Sequence, residues 1–155
     1  GPVMSIGQFA EILTMAYLGF FIKKLGFKKV ISLGIGAYFF RYLIFGTSSL
    51  PLWLIISSQA FHGFCYAFFF AAAFIYVDKI SETDFRHSAQ TVFGIIILGG
   101  GPVLGGWLSG FLQEVFSNSN NFNFSSFWYS ISFLGLMATL FFITLFKEKL
   151  NNKGN

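Results

Sequence analysis

SIGQFAEILTMAYLGFFIKKLGFKK, Ser5 to Lys29, is an apolar run that carries one amide (Gln8) and one acid (Glu11) and closes on four lysines. A bilayer core about 30 Å thick is crossed by roughly 20 apolar residues in helical form, and the run beginning near Val3 and ending near Ile22 is of that size. The stretch therefore predicts a membrane helix, places a candidate polar site inside it, and orients it by its lysines.

The composition agrees with that class. Hydrophobic residues make up 55% of the 155-residue chain and charged residues 10%, whereas an ordinary soluble domain is about one quarter charged. The net charge of +4 does not point to nucleic acid, because the basic residues sit in short segments between apolar runs and form no basic face. The lone Cys65 excludes an internal disulfide framework and a cysteine-based metal site. No nucleophile and base pair and no metal-ligand cluster is visible, so neither cofactor nor enzyme activity is expected. No cleavable signal peptide is recognised, since no basic residues precede the first apolar run and further spans follow it.

Five apolar runs separated by polar breaks predict an all-α membrane protein with five transmembrane helices, at about 3–22, 30–47, 51–77, 88–115 and 126–146. They form one bundle over about 1–150, followed by a tail, 147–155. Nine of the ten basic residues fall in the first connection (Lys23, Lys24, Lys28, Lys29), the third (Lys79, Arg86) and the tail (Lys147, Lys149, Lys153). Cytoplasmic loops collect such residues, so the C-terminus is expected inside and the N-terminus outside. That parity suggests at least one preceding span. The stretch SNSNNFNFSS is then an external loop, with a sequon at Asn123-Phe124-Ser125.

An intramembrane acid is costly and marks an ion or substrate pathway by default. Glu11 lies about 12 Å from the outer end of its span, at 1.5 Å per residue, and Gln8 lies one turn away on the same face. The two suit a polar ligand, with Glu11 as a proton carrier; the alternative is that Glu11 only ties helices together. Arg41, about 9 Å deep in the second span, has three readings: an ion pair with Glu11, a ligand contact, or snorkelling to the surface. On the third span Gln59, His62 and Tyr66 share one face, continued by Phe69 and Phe70. Such a face can stack on a planar ring and hydrogen-bond its edges, although a membrane histidine equally serves helix-to-helix hydrogen bonding.

The fourth span contains GGGPVLGGWLSG, Gly99 to Gly110. Gly101 with Gly105, and Gly106 with Gly110, are small-xxx-small pairs that permit close helix approach, and Pro102 removes a backbone donor and permits bending. No lysine follows these glycines, so a phosphate-binding loop is rejected. The stretch reads as a packing and gating element. The charged segment Asp78 to Arg86 reads as a solvated connection.

VMSIGQFAEILTM, FFIKKLGFKKVI, FFRYLIFG, HGFCYAFFFAAAFIYVDK, RHSAQTVF and GGGPVLGGWLSG together, and in this order, resemble the C-terminal half of bacterial nucleoside:proton symporters of the major facilitator superfamily. The resemblance runs from about Val3 to Lys149. It implies the last five helices of a twelve-helix inner-membrane transporter, with a missing N-terminal half as partner and a mid-membrane site for a nucleoside and a proton. Matching positions imply that Gln8 and Glu11 contact the nucleoside and that Tyr66 supplies an aromatic contact. The pattern departs at Ala67, where the best-known member of the family has an acid, and the glycine motif is shared with drug antiporters of the superfamily. A drug or metabolite cargo is therefore one alternative, and a non-transporting membrane fragment in which Glu11 and Arg41 are only structural is another.

Overall fold

The computed structural model describes residues 2–118 and 121–148. Lys149, Lys153 and most of the expected tail lie outside the described residues, as do Ser119 and Asn120 of the expected outer loop. Among the described residues four helices are long and apolar enough to cross a membrane: α1 (Pro2–Gly46), α2 (Leu52–Ile80), α3 (Thr83–Phe116) and α4 (Phe124–Leu145).

α1 is two antiparallel arms rather than one rod. Its 45 residues would extend about 68 Å at 1.5 Å per residue, more than twice the hydrocarbon thickness. Gly26, with φ 81° and ψ 164°, breaks it, in a region of backbone space that is essentially open to glycine alone. The contacts show the reversal. A Cβ placed on Gly7 would lie 3.3 Å from the Gln59 carbonyl oxygen and 3.5 Å from the His62 ring, while Arg41 hydrogen-bonds the side chains of the same two residues. In a straight helix Gly7 and Arg41 would stand about 51 Å apart. The arms run over 2–25 and 27–46, and the lysine-rich break between them is the hairpin. The second arm begins under a cap: the Glu148 carboxylate accepts the backbone N–H groups of Phe27 and Lys28, each at 3.2 Å.

The core lies between these arms and α2. Leu18, Phe27, Val30 and Ile31 are buried against Ala67, Phe68, Ala72 and Tyr76. Glycines let the backbones meet: a Cβ on Gly34 would stand 2.5 Å from the Phe69 nitrogen, and one on Gly63 would collide with the Glu11 nitrogen. α4 runs beside the second arm, where Ser132 Oγ donates to the Phe39 carbonyl at 2.9 Å and Trp128 stacks on Tyr42 with centroids 5.5 Å apart.

The glycines expected to pack helices are therefore not the ones that do so here. Nothing within the described residues lies within 4 Å of a Cβ built on Gly99, Gly100, Gly101, Gly105, Gly106 or Gly110. α3 runs as π-helix over Ile95–Gly100, immediately before Pro102. Proline cannot donate to the preceding turn, and the helix widens there. α2 has a second π-helical segment, Tyr66–Ala71.

The connection between α3 and α4 is a two-strand antiparallel hairpin, β1 (Ser117–Asn118) with β2 (Asn121–Phe122). Asn123 then caps α4 by accepting the Ser126 N–H at 3.0 Å, the role for which asparagine is favoured. In the charged segment at the end of α2, where Glu82 to Phe85 are exposed, Asp78 accepts a hydrogen bond from Gln90 at 3.0 Å and lies 3.4 Å from Arg86 Nε.

Candidate functional site

Three polar side chains converge where both arms of α1 cross the first half of α2. Arg41 donates through Nη2 to Gln59 Oε1 at 3.1 Å and lies with Nη1 3.2 Å from His62 Nδ1. A guanidinium has donors and no acceptor, so His62 offers the lone pair of Nδ1 and carries its hydrogen on Nε2. The guanidinium also lies over Phe45 and Tyr42, 5.3 Å and 5.8 Å from the ring centroids. Aromatic faces attract a cation, the more so where water is excluded. Arg41 is thus held by a hydrogen-bonded pair on one side and rings on the other, and its Nε, buried, has no hydrogen-bond partner among the described residues.

Glu11 enters this layer through the backbone. Gly63 has no side chain to hold the first arm away, so Ala10 and Glu11 lie directly against α2 one residue after His62. Glu11 is half-buried and within electrostatic reach of the His62 ring. It makes no ion pair with Arg41: among the described residues the ion pair present joins Arg86 and Asp78. The ion-pair reading of Arg41 is therefore not met among the described residues, where its hydrogen-bonding partners lie on α2 instead. Helical spacing puts Gln59 and His62 on one face, whereas their bond to Arg41 has no mark in the sequence, because hydrogen-bonding partners across a hairpin follow from its register.

The other expected site residues sit around this cluster. Gln8, one turn before Glu11, is exposed and has no hydrogen bond among the described residues. Tyr66, one turn beyond His62, is 40% exposed and packs on Phe70 with centroids 5.6 Å apart. Ala67, in contrast, is fully buried in the core between the arms and α2. Gly101, Pro102, Gly105 and Gly106 lie on α3 and are exposed. The site thus has an acid, an imidazole, two amides and a tyrosine with unengaged hydrogen-bonding capacity, a composition suited to a small polar ring-bearing ligand. No group of His, Cys, Asp and Glu among the described residues is arranged to hold a metal ion.

Two concave regions lie elsewhere. A groove of about 900 Å³ between the second arm, α2 and α4 and a smaller one of about 590 Å³ between that arm, α3 and α4 are each lined without Gln8, Glu11, His62 or Tyr66. The polar cluster opens outside both.

A family profile described as "Nucleoside H+ symporter" matches residues 2–151. YegT of Escherichia coli (strain K12), described provisionally as a nucleoside transporter, is 35% identical over 159 residues, which cover 96% of this chain and 37% of YegT. The nucleoside permease NupG of the same organism is 27% identical, over 95% of this chain and 36% of NupG. The crystal structure of nucleoside transporter NupG superposes with a TM-score of 0.84 over 95% of this chain and 37% of that one. The chain therefore spans a little over a third of the length of the curated relatives it matches.

Proposed function

The chain belongs to the nucleoside H+ symporter family, and from that premise we propose that it is the C-terminal part of a twelve-helix transporter that moves nucleosides with protons by alternating access. The two arms of α1 with α2, α3 and α4 supply five crossings, the last five of the twelve, over about residues 1–150. The lysine-bearing hairpin and the tail from 147 face the cytoplasm, by the distribution of basic residues. The other half of the transport path belongs to the remainder of the protein.

The observation that carries the reading is the convergence of Arg41, Gln59 and His62 in one layer with Glu11, which supports a substrate site at that level. Glu11 has no counter-charge within the described residues, so it is the group free to take a proton or a ribose hydroxyl. Gln8 and Tyr66 flank it and orient the base or sugar, while Arg41 fixes the His62 tautomer. The exposed glycines and Pro102 of α3 are the element that moves against the rest of the protein.

Uptake of labelled uridine into energised vesicles by the full transporter tests this. Uptake should be abolished by a protonophore and by Glu11→Gln. Unchanged uptake in Glu11→Gln would remove Glu11 from the mechanism, and failure of every nucleoside to compete would remove nucleosides as the cargo.

A further inference from the structure

We propose that the groove between the second arm of α1, α2 and α4 is a site for one anionic phospholipid, its acyl chain in the groove and its head group on Lys28 and Lys29. The groove holds about 900 Å³ and is lined by Phe40, Phe61, Phe64, Phe68 and Ile143, and by Gly36. Its charged groups, Lys28 and Lys29, lie at one end. Ser32 and Thr139 also line it, but their hydroxyls donate to the carbonyls of Lys28 and Gly135 at 2.7 Å and 2.8 Å. The interior therefore offers hydrocarbon contact and almost no free donor, which a nucleoside or any other polar solute would need.

The dimensions match one leaflet. From Lys28 to Phe40 the helix advances about 18 Å at 1.5 Å per residue, against about 15 Å for half of the hydrocarbon core. The charged end is also unsatisfied. Lys24 lies over Phe20 at 5.7 Å and Lys79 over Phe27 at 5.5 Å, but Lys28 and Lys29 have neither a ring nor a carboxylate partner among the described residues. The acid at that end, Glu148, turns both oxygens to the N–H groups of Phe27 and Lys28. Basic groups at the mouth of an interhelical groove are the arrangement that takes anionic head groups. The groove shares no lining residue with the Arg41 cluster, so the site rests on membrane insertion alone and not on nucleosides being the cargo.

The test uses the full transporter in phosphatidylcholine bilayers with spin-labelled phosphatidylglycerol or phosphatidylcholine, reading the motionally restricted lipid fraction. A lysine beside anionic lipid favours it by about fivefold, so the unaltered protein should prefer phosphatidylglycerol by at least that factor. Lys28→Gln with Lys29→Gln should erase the preference, whereas Lys28→Arg with Lys29→Arg should keep it. Gly36→Leu, whose side chain extends into the groove and has Thr139 Cγ2 as its nearest neighbour at 3.9 Å, should remove one restricted lipid without touching either lysine. The proposal is overturned if the unaltered protein shows no preference or if the glutamine pair retains it. It is also overturned if Lys23→Gln with Lys24→Gln erases the preference equally, which would mean a diffuse basic collar, or if Gly36→Leu leaves the lipid count unchanged.

Discussion

Arg41 Nη1 lies 3.2 Å from His62 Nδ1, and the contact exists only while that nitrogen keeps its lone pair, since a protonated imidazole is a donor at both positions. The bond joins the second arm of α1 to α2 at the level where the first arm also crosses. Interhelical hydrogen bonds in membranes couple by about 0.6 kcal/mol on average and up to about 1.7, and a charged donor puts this one near the upper end. A double-mutant cycle of Arg41→Ala with His62→Ala, read by thermal unfolding in detergent, should give a coupling of about 1 to 1.5 kcal/mol. The same cycle between Arg41 and Glu11 should give less than about 0.5 kcal/mol, the scatter expected for residues without a shared contact. Equal couplings would return Arg41 to the ion-pair reading.

Glycine substitutions should split by sign. A Cβ at Gly63 meets the Glu11 backbone and one at Gly34 meets the backbone of Phe69 at 2.5 Å, and backbone cannot rotate aside as a side chain can. Gly63→Ala and Gly34→Ala should each cost about 1 to 3 kcal/mol or more, the range for overfilled packing. Gly105→Ala, with nothing within 4 Å, should stabilise by up to about 1 kcal/mol through helix propensity alone. Unfolding midpoints of the three variants make the comparison, and a loss at Gly105 would place another segment of the protein against that face.

These glycines also mark what the sequence can express. The apolar runs predict helices long and apolar enough to cross a membrane, because hydrocarbon thickness acts on residues counted along the chain. Gly63 in HGFCY and Gly34 in ISLGIG carry no such mark, while GGGPVLGGWLSG carries a strong one. Close approach depends on where two helices cross, and that is fixed by the whole bundle. The Arg41 site divides in the same way: the α2 face with Gln59, His62 and Tyr66 follows from helical spacing, whereas its arginine comes from across the hairpin. The π-helical segment at Tyr66–Ala71 has no residue signature comparable to the proline that follows the one in α3.

The hairpin at Gly26 should behave as a coupled unit. Glu148 caps the second arm through Phe27 and Lys28, so Glu148→Ala should cost about 1 kcal/mol, the usual value for a lost helix cap. Gly26→Ala should cost about 1 to 3 kcal/mol for a backbone region that a side chain avoids. Its Cβ would also stand 3.1 Å from Glu148 Oε2, displacing the cap. The double variant should therefore be destabilised by less than the sum of the two, measured by denaturation of all three proteins. Strict additivity would show that the carboxylate and the turn act independently.

Asp78 distinguishes a hydrogen bond from a charge contact at one carboxylate. Gln90 Nε2 donates to its Oδ1 at 3.0 Å, while Arg86 Nε stands 3.4 Å from the same oxygen and makes no hydrogen bond among the described residues. The Arg86 and Asp78 side chains are 43% and 40% exposed, and exposed ion pairs contribute about 0 to 1 kcal/mol and are screened by salt. Arg86→Gln should therefore cost less than about 0.5 kcal/mol at low salt and nothing measurable near 1 M, where the screening length is about 3 Å. Gln90→Leu removes the partner with the shorter contact and should cost about 1.5 kcal/mol at either salt concentration, as a hydrogen bond to a charged group does. Unfolding at two ionic strengths separates the cases, and a salt-sensitive loss at Gln90 would mean that the charge contact with Arg86 holds the connection between α2 and α3.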